Sequence, residues 1–207
     1  MVMSNFNEII NLTLANREDI DEHLLTLFGL TLSMKPKKII ELGVRSARST
    51  YSFLLASQLI DAQVLSVDIQ DPYPSLPLSD SMKERWRFVK SDALKFLEEN
   101  FKNEWPSDSG NILYIDDWHA GDHVEKELQL VDEYIKPNDI ILLHDLMYGN
   151  SQPHYRSVDS PQDKQWDNGG PYRPVSNLDL TVWEYATIPR CHGMTILRKK
   201  SKQILTI

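Results

Sequence analysis

Apolar residues along this chain recur with two alternating rhythms. In the first 36 residues Ile20, Leu24, Leu27, Phe28 and Thr31 return at helical spacing until Pro36 interrupts them. Beyond that point short apolar runs, as expected of strands covered on both faces, alternate with stretches of helical period. The runs fall at 38–44, 64–69, 88–91, 112–116 and 139–144. Between them, residues 49–59 predict one helix, and Leu94, Leu97 and Phe101 mark a second helical face. Val124, Leu128, Val131 and Ile135 mark a third, ended by Pro137 and Asn138. Two final strand-like runs, 181–187 and 194–198, flank a turn containing Pro189 and Gly193.

Repeated β-α alternation predicts a parallel sheet covered by helices, and the short closing turn makes the last two strands antiparallel to each other. The expected fold is α/β: a Rossmann-like, doubly wound, seven-stranded, mostly parallel sheet with an antiparallel last strand and helices on both faces. A helical segment over 1–36 precedes one domain over 37–207. The pattern lapses only at 146–180, punctuated by Pro153, Pro161, Gly169, Gly170, Pro171 and Pro174. A loop of that length in a compact domain is usually functional, and Tyr148, Tyr155, Trp166 and Tyr172 suit it to a lid or acceptor pocket. Arg156 and Arg173 are candidates to pair with an acidic group on the acceptor.

Composition narrows the partners. With 22 basic and 30 acidic residues the net charge is −8, which argues against nucleic acid. Cys191 is the only cysteine, so no internal disulfide forms and a reducing cytoplasm is expected; it reads as a packed thiol. No signal peptide and no apolar run near the ~18 residues of a membrane span are visible. The amphipathic N-terminal segment is suited to packing against a second copy of the chain.

The chemistry concentrates in the segment Ile39-Ile40-Glu41-Leu42-Gly43-Val44-Arg45-Ser46-Ala47-Arg48-Ser49-Thr50, where an apolar strand runs through Glu-x-Gly into a helix. A second strand ends in Asp68, 68 − 43 = 25 positions after the glycine. This is the layout of a nucleoside-binding crossover, with a glycine turn at one strand end and a carboxylate for ribose hydroxyls at the next. Dinucleotide sites commonly carry a second glycine where this chain has Arg45. Glu41 would repel a pyrophosphate but can accept hydrogen bonds from an ammonium group. These residues favour S-adenosylmethionine over a nicotinamide dinucleotide. The alternatives are an NAD(P)-dependent oxidoreductase and a non-catalytic cofactor-binding or assembly protein.

Together with Tyr114-Ile115-Asp116-Asp117-Trp118-His119 and Ile141-Leu142-Leu143-His144-Asp145, these motifs resemble the class I S-adenosylmethionine-dependent methyltransferases. The likeness is narrowest to methyltransferase family 24, related to the macrocin and mycinamicin sugar O-methyltransferases, and spans roughly 38–198. The family frequently has glycine where Ala47 stands. The resemblance implies that Glu41, Gly43 and Ser46 line the methionine end of the cofactor and that Ser49 supports the turn. It also implies that Asp68 binds the ribose, and that Ser91, Asp92 and Ala93 frame the adenine. Asp92 reads equally well as a helix N-cap.

Asp116, Asp117, His119, His144 and Asp145 fall at the carboxyl ends of the fourth and fifth strands, facing the same crevice as the glycine turn. Carboxylates from neighbouring strands can hold a divalent cation, and a nearby imidazole titrates in the range suited to removing a hydroxyl proton. The resemblance assigns Asp116 to metal and His119 to general base. It pairs His144 and Asp145 with a metal-binding Glu-Asp, so the expected metal set is Asp116, His144 and Asp145, taking Mg²⁺ or another divalent ion. Asp117 reads as a solvated loop residue, His123 as a helix-start residue, and His144 as a strand-end residue as readily as a ligand. The expected reaction is O-methylation of a small-molecule or glycan hydroxyl.

Overall fold

The computed structural model describes residues 2–108, 110–147 and 168–201. Seven strands form one sheet: β1 (Lys38–Leu42), β2 (Gln63–Asp68), β3 (Trp86–Lys90), β4 (Ile112–Ile115), β5 (Ile140–Leu143), β6 (Trp183–Ile188) and β7 (Met194–Lys199). Their order is β3-β2-β1-β4-β5-β7-β6. The pairings among β1 to β5 are parallel, and β7 runs antiparallel to both of its neighbours. Each strand expected from the apolar runs is present, with ends shifted by at most a few residues. The order reverses between β1 and β4, the position where open α/β sheets bind ligands beyond the strand carboxyl ends.

The helices are α1 (Val2–Ala15), α2 (Leu24–Met34), α3 (Arg48–Ile60), the short α4 (Asp80–Lys83), α5 (Ala93–Glu99), α6 (Phe101–Glu104), α7 (Gly121–Val131) and α8 (Tyr172–Ser176). A 3₁₀ turn, Asp19–His23, divides α1 from α2. Strand parity sorts the side chains into two cores. Ile40 and Leu42 of β1 face the layer containing Phe96, Leu97, Val124, Leu128 and Val131. Ile39 faces the other layer, where Ile9, Ile20, Leu24, Leu27 and Phe28 of the N-terminal segment meet Phe53 and Leu54 of α3. Each fully buried side chain of this kind contributes about 1.5–3 kcal/mol. The first 36 residues are therefore an integral layer of the core rather than an appendage.

A buried ion pair fastens that layer to the glycine turn. Arg48 of α3 donates from Nε to Asp21 Oδ1 at 2.8 Å and from Nη2 to Oδ2 at 2.5 Å. Asp21 is fully buried and Arg48 nearly so. Asp21 also accepts the amides of Arg17 and Glu18, so its lone pairs are well used. Of the 146–180 segment, Tyr148, Tyr155, Arg156 and Trp166 lie outside the described residues. Arg173 does not reach outward for an acceptor: its Nη2 pairs with Asp122 at 2.5 Å and Glu125 at 2.8 Å on α7.

Candidate functional site

The turn after β1 is built around an absent side chain. Gly43 has φ +87°, and a Cβ on it would stand 2.1 Å from the Asp116 carbonyl oxygen. The ends of β1 and β4 can approach this closely only with glycine between them. Its amide donates to Val67 O at 2.9 Å, completing the connection to β2. Ala47 opens α3 with φ +56° and has no capping side chain. A left-handed backbone here suits glycine better than alanine.

Asp68 holds the turn from the neighbouring strand. Its Oδ2 accepts the amides of Val44 at 2.8 Å and Arg45 at 3.4 Å, and its Oδ1 accepts that of Gln70 at 2.9 Å. Residues 69–78 fold back over the turn, with the amides of Tyr73 and Ser75 bonded to the carbonyls of Arg45 and Ser46. A cavity of 540 Å³ opens here, lined among others by Gly43, Asp68, Tyr73, Ser91, Asp92, Ala93, Asp116 and Trp118. That volume lies in the range of small-ligand and cofactor sites. Asp92 takes both expected parts: it caps α5 by accepting from Lys95 N at 3.0 Å, and it lines the cavity. Arg45, Ile69, Tyr73 and Trp118 were not foreseen; their signal is that Ile69, Tyr73 and Trp118 are large apolar residues left exposed just beyond strand ends.

Glu41 departs from expectation. Strand parity turns it away from the cavity, toward α3, where it is fully buried. Ser49 Oγ donates to Oε1 at 2.6 Å, while Thr50 Oγ1 at 2.7 Å and Ser66 Oγ at 2.5 Å donate to Oε2. Burial pushes its carboxyl up to about 7, against the opposing effect of these hydroxyls. Glu41 thus braces the start of α3 from beneath and does not reach an ammonium group in the cavity. Ser49 supports the turn as expected, through Glu41. Ser46 lies in a small neighbouring depression with Glu18 and Asp19, and its hydroxyl donates to Glu18.

At the ends of β4 and β5 two carboxylates and two imidazoles interlock. Asp116 accepts from Tyr114 Oη at 2.8 Å, and His144 Nδ1 lies 3.2 Å from both Asp116 Oδ1 and Asp145 Oδ1. His119 Nε2 lies 3.0 Å from Asp145 Oδ2 and 3.8 Å from Asp116 Oδ1. Burial favours the neutral imidazole of His119, but the hydrogen bond and charge of Asp145, helped by Asp116 and Asp117, outweigh it and raise its pKa. Burial opposes ionisation of Asp145 too, yet hydrogen bonds from His119 and His144 hold it well below the usual carboxylate range. His119 is only 8% exposed and, unlike Asp116, does not line the cavity. The residues expected to act together are therefore assembled.

Asp117 and His123 are more than loop and helix-start residues. His123 Nε2 lies 3.1 Å from Asp117 Oδ2 and 3.6 Å from Glu127 Oε1. Burial lowers the His123 pKa, but the two carboxylates outweigh it and bring it up to about 10. The Glu127 carboxyl is pushed far up, chiefly by burial. This spacing, i to i+4 on α7, was readable in the sequence but carried no motif.

No helix among the described residues is long and apolar enough to cross a membrane. The solved structures that resemble the chain include the SAH-bound Podospora anserina methyltransferase PaMTH1. That protein is 15% identical over 95% of this chain and 88% of its own, with a TM-score of 0.62. The O-methyltransferase from Bacillus cereus in complex with SAH is 14% identical over 95% and 91%, with a TM-score of 0.59. The structure named cmcI with Mg and SAM is 16% identical over 84% and 69%, with a TM-score of 0.53. At these identities the likeness establishes the fold. No curated protein sequence matches the chain. The inserted antiparallel β7 disfavours the fully parallel dinucleotide-binding sheet of an NAD(P)-dependent oxidoreductase. The family model described as a methyltransferase domain matches residues 40–146, more than half of the sequence, from within β1 to just past β5. On that match the chain belongs to the methyltransferase domain family, among the class I S-adenosylmethionine-dependent methyltransferases.

Proposed function

We propose that this protein transfers the methyl group of S-adenosylmethionine to a hydroxyl oxygen of a small molecule or glycan. One observation carries the reading: Asp68, Asp92 and Asp116 open onto a single cavity beside the Gly43 turn, and Asp116 leads directly into the His119–Asp145 pair. In this arrangement Asp68 takes the ribose hydroxyls, and Ser91, Asp92 and Ala93 frame the adenine. Gly43 and Ser46 border the methionine end. A cytoplasmic setting fits a sequence with one cysteine, and the net charge of −8 disfavours nucleic acid as acceptor.

His119, in its neutral form, takes the proton of the acceptor hydroxyl. The oxygen attacks the methyl carbon in line, the carbon–sulfur bond breaks, and neutral S-adenosylhomocysteine leaves. Asp145 and Asp116 stabilise the imidazolium that results, and positioning supplies much of the remaining rate.

The neighbour named with Mg and SAM, together with the family resemblance, raises a cation between Asp116 and Asp145. Asp116, His144 and Asp145 do converge, with one ligand atom from each within 4.8 Å of the others. However, His144 directs Nδ1 at both carboxylates, at 3.2 Å each, so it presents a proton where a metal needs a lone pair. The imidazoles of His144 and His119 occupy the gap beside Asp145. This donor set does not fit a hard divalent ion, and no step is routed through one.

Calorimetric titration with S-adenosylmethionine and S-adenosylhomocysteine tests the reading. Heat of binding in the parent protein that is lost in Asp68→Ala supports it; no heat with either nucleoside overturns it.

A further inference from the structure

At the end of β5, among residues that do not line the cavity, three groups meet from distant parts of the chain. His23 ends the 3₁₀ turn, His144 follows β5, and Cys191 lies in the turn between β6 and β7. Both histidines are buried, at 0% and 1% exposure. Their rings meet edge to face, with centroids 5.4 Å apart.

Each imidazole has one nitrogen committed to oxygen. His23 Nε2 lies 2.7 Å from the Arg190 carbonyl oxygen, and His144 Nδ1 lies 3.2 Å from Asp116 Oδ1. A carbonyl or carboxylate oxygen can only accept, so these nitrogens carry the protons. The opposite nitrogens, His23 Nδ1 and His144 Nε2, are buried without a close oxygen or nitrogen partner, and Cys191 is the neighbour of both rings, its thiol against His144 and its backbone against His23. One nitrogen of each ring and Cys191 Sγ lie within 4.8 Å of one another.

Two buried ring nitrogens whose shared neighbour is a thiol, a weak hydrogen-bonding group, are better served by an ion bound among the three. The pattern is that of metal-ligating histidines, which donate the far N–H to a carbonyl or carboxylate and so fix the ring and its tautomer. Two imidazoles and a thiol form a borderline-soft set that suits Zn²⁺ rather than Mg²⁺. We propose that His23 Nδ1, His144 Nε2 and Cys191 Sγ bind one Zn²⁺ ion, with water as fourth ligand, at a site separate from the cofactor cavity.

Binding replaces the Cys191 S–H bond with a Zn–S bond and releases the proton; the thiol's hydrogen bond to Asp19 O is given up. Zn–N bonds of about 2.0–2.1 Å and a Zn–S bond of about 2.3 Å set tetrahedral ligands roughly 3.4–3.6 Å apart. Closing the cluster therefore asks for a shortening of any one separation by about 1.4 Å at most. Cys191 supplies it, being half-buried on a turn with φ +41°. The ion would tie the N-terminal segment, β5 and the β6–β7 turn together, and would fix the ring that directs Nδ1 toward Asp116.

The test uses the full chain, stripped with chelator under reductant, then titrated with Zn²⁺ against a chromophoric chelator and separately with Co²⁺. The expected result is one tight Zn²⁺ per chain and a near-ultraviolet thiolate-to-Co²⁺ charge-transfer band. Cys191→Ser should abolish the band, and both Cys191→Ser and His23→Gln should weaken Zn²⁺ binding by about tenfold or more. His123→Ala, which alters the separate Asp117–His123–Glu127 cluster, should leave band and affinity unchanged. Absence of the charge-transfer band, or Zn²⁺ affinity unaltered by Cys191→Ser, overturns the proposal. Cys191→Ser changes only a half-buried turn residue, so it decides the matter even should His23→Gln fail to fold.

Discussion

The Cα of Gly43 and the carbonyl of Asp116 are packed so closely that the first carbon of any side chain at residue 43 would stand 2.1 Å from the carbonyl oxygen. The contact joins the glycine turn to the strand end that carries Asp116. Gly43→Ala should force β1 and β4 apart and lose about 2–4 kcal/mol of stability, through overpacking and the left-handed backbone together. Denaturant unfolding reads the loss, and calorimetry should find cofactor binding weakened in parallel. A variant of unchanged stability would mean that the two strand ends are free to separate.

Ala47 offers the reverse experiment. Its φ of +56° strains any residue with a Cβ, and it provides no cap to α3. Ala47→Gly should therefore stabilise the fold by about 0.5–1 kcal/mol, relief of the left-handed strain outweighing the added freedom of the unfolded chain. At about 2–4 °C per kcal/mol for a chain of this size, the melting temperature should rise by a degree or more. A lower melting temperature would contradict the strain.

Glu41 makes stability depend on pH. The carboxyl titrates at 4.5 by its ordinary value and at about 7 in the folded state. Below pH 4.5 both states are protonated and stability is complete. Between 4.5 and 7 the unfolded chain gives up its proton first, so stability falls as pH rises and the loss is complete above 7. The difference corresponds to about 3 kcal/mol as an upper figure. The stability gap between Glu41→Gln and the parent should therefore move in favour of the variant from pH 4.5 to pH 8. A gap that does not change with pH would show that the three hydroxyls keep Glu41 ionised throughout.

Methyl transfer should depend on pH through His119. Because Asp145 and its neighbours raise the His119 pKa against the effect of burial, the neutral base accumulates only above the ordinary imidazole value of 6.5. The rate should rise with pH, with its half-point above 6.5, and Asp145→Asn should move that point downward. His119→Ala should cost about 10²–10⁴-fold in kcat while leaving cofactor affinity in place. Equal activity in His119→Ala would assign the base elsewhere.

The Arg48–Asp21 pair holds the N-terminal segment to the turn from within the core. Asp21→Ala leaves a buried guanidinium without its bidentate partner and should cost about 3–5 kcal/mol. Replacing both residues with apolar ones should restore much of that loss. Thermal melts of the single and double variants provide the comparison.

The strands were legible because a sheet covered on both faces needs continuous apolar runs, and 38–44, 64–69 and 112–116 are of that kind. The β-α alternation and the short closing turn conveyed the topology for the same reason. Glu41 was misplaced because its surroundings are long-range: Ser49 and Thr50 come from α3, Ser66 from β2, and only strand parity decides which face they share. That Asp68, Asp92 and Asp116 would lie near one crevice was legible because each ends a strand or opens a helix, positions visible one residue at a time. The interlocked pair His119 and Asp145 needed the β4–β5 register, and the meeting of His23, His144 and Cys191 needed three chain segments to fold together. The dual use of Asp92, as cap and cavity wall, shows that a local role and a site role are compatible in one carboxylate.

The apolar layer shared by Ile9, Ile20, Leu24, Leu27, Phe28, Ile39 and Phe53 runs across the point where the domain matched by family resemblance begins. A fragment started near residue 37 would carry every strand end that lines the cavity and yet display one side of its own interior to solvent. For anyone cutting, fusing or grafting this protein, a cut between α2 and β1 is the wrong one, because the region that looks dispensable by motif is the wall against which α3 is seated.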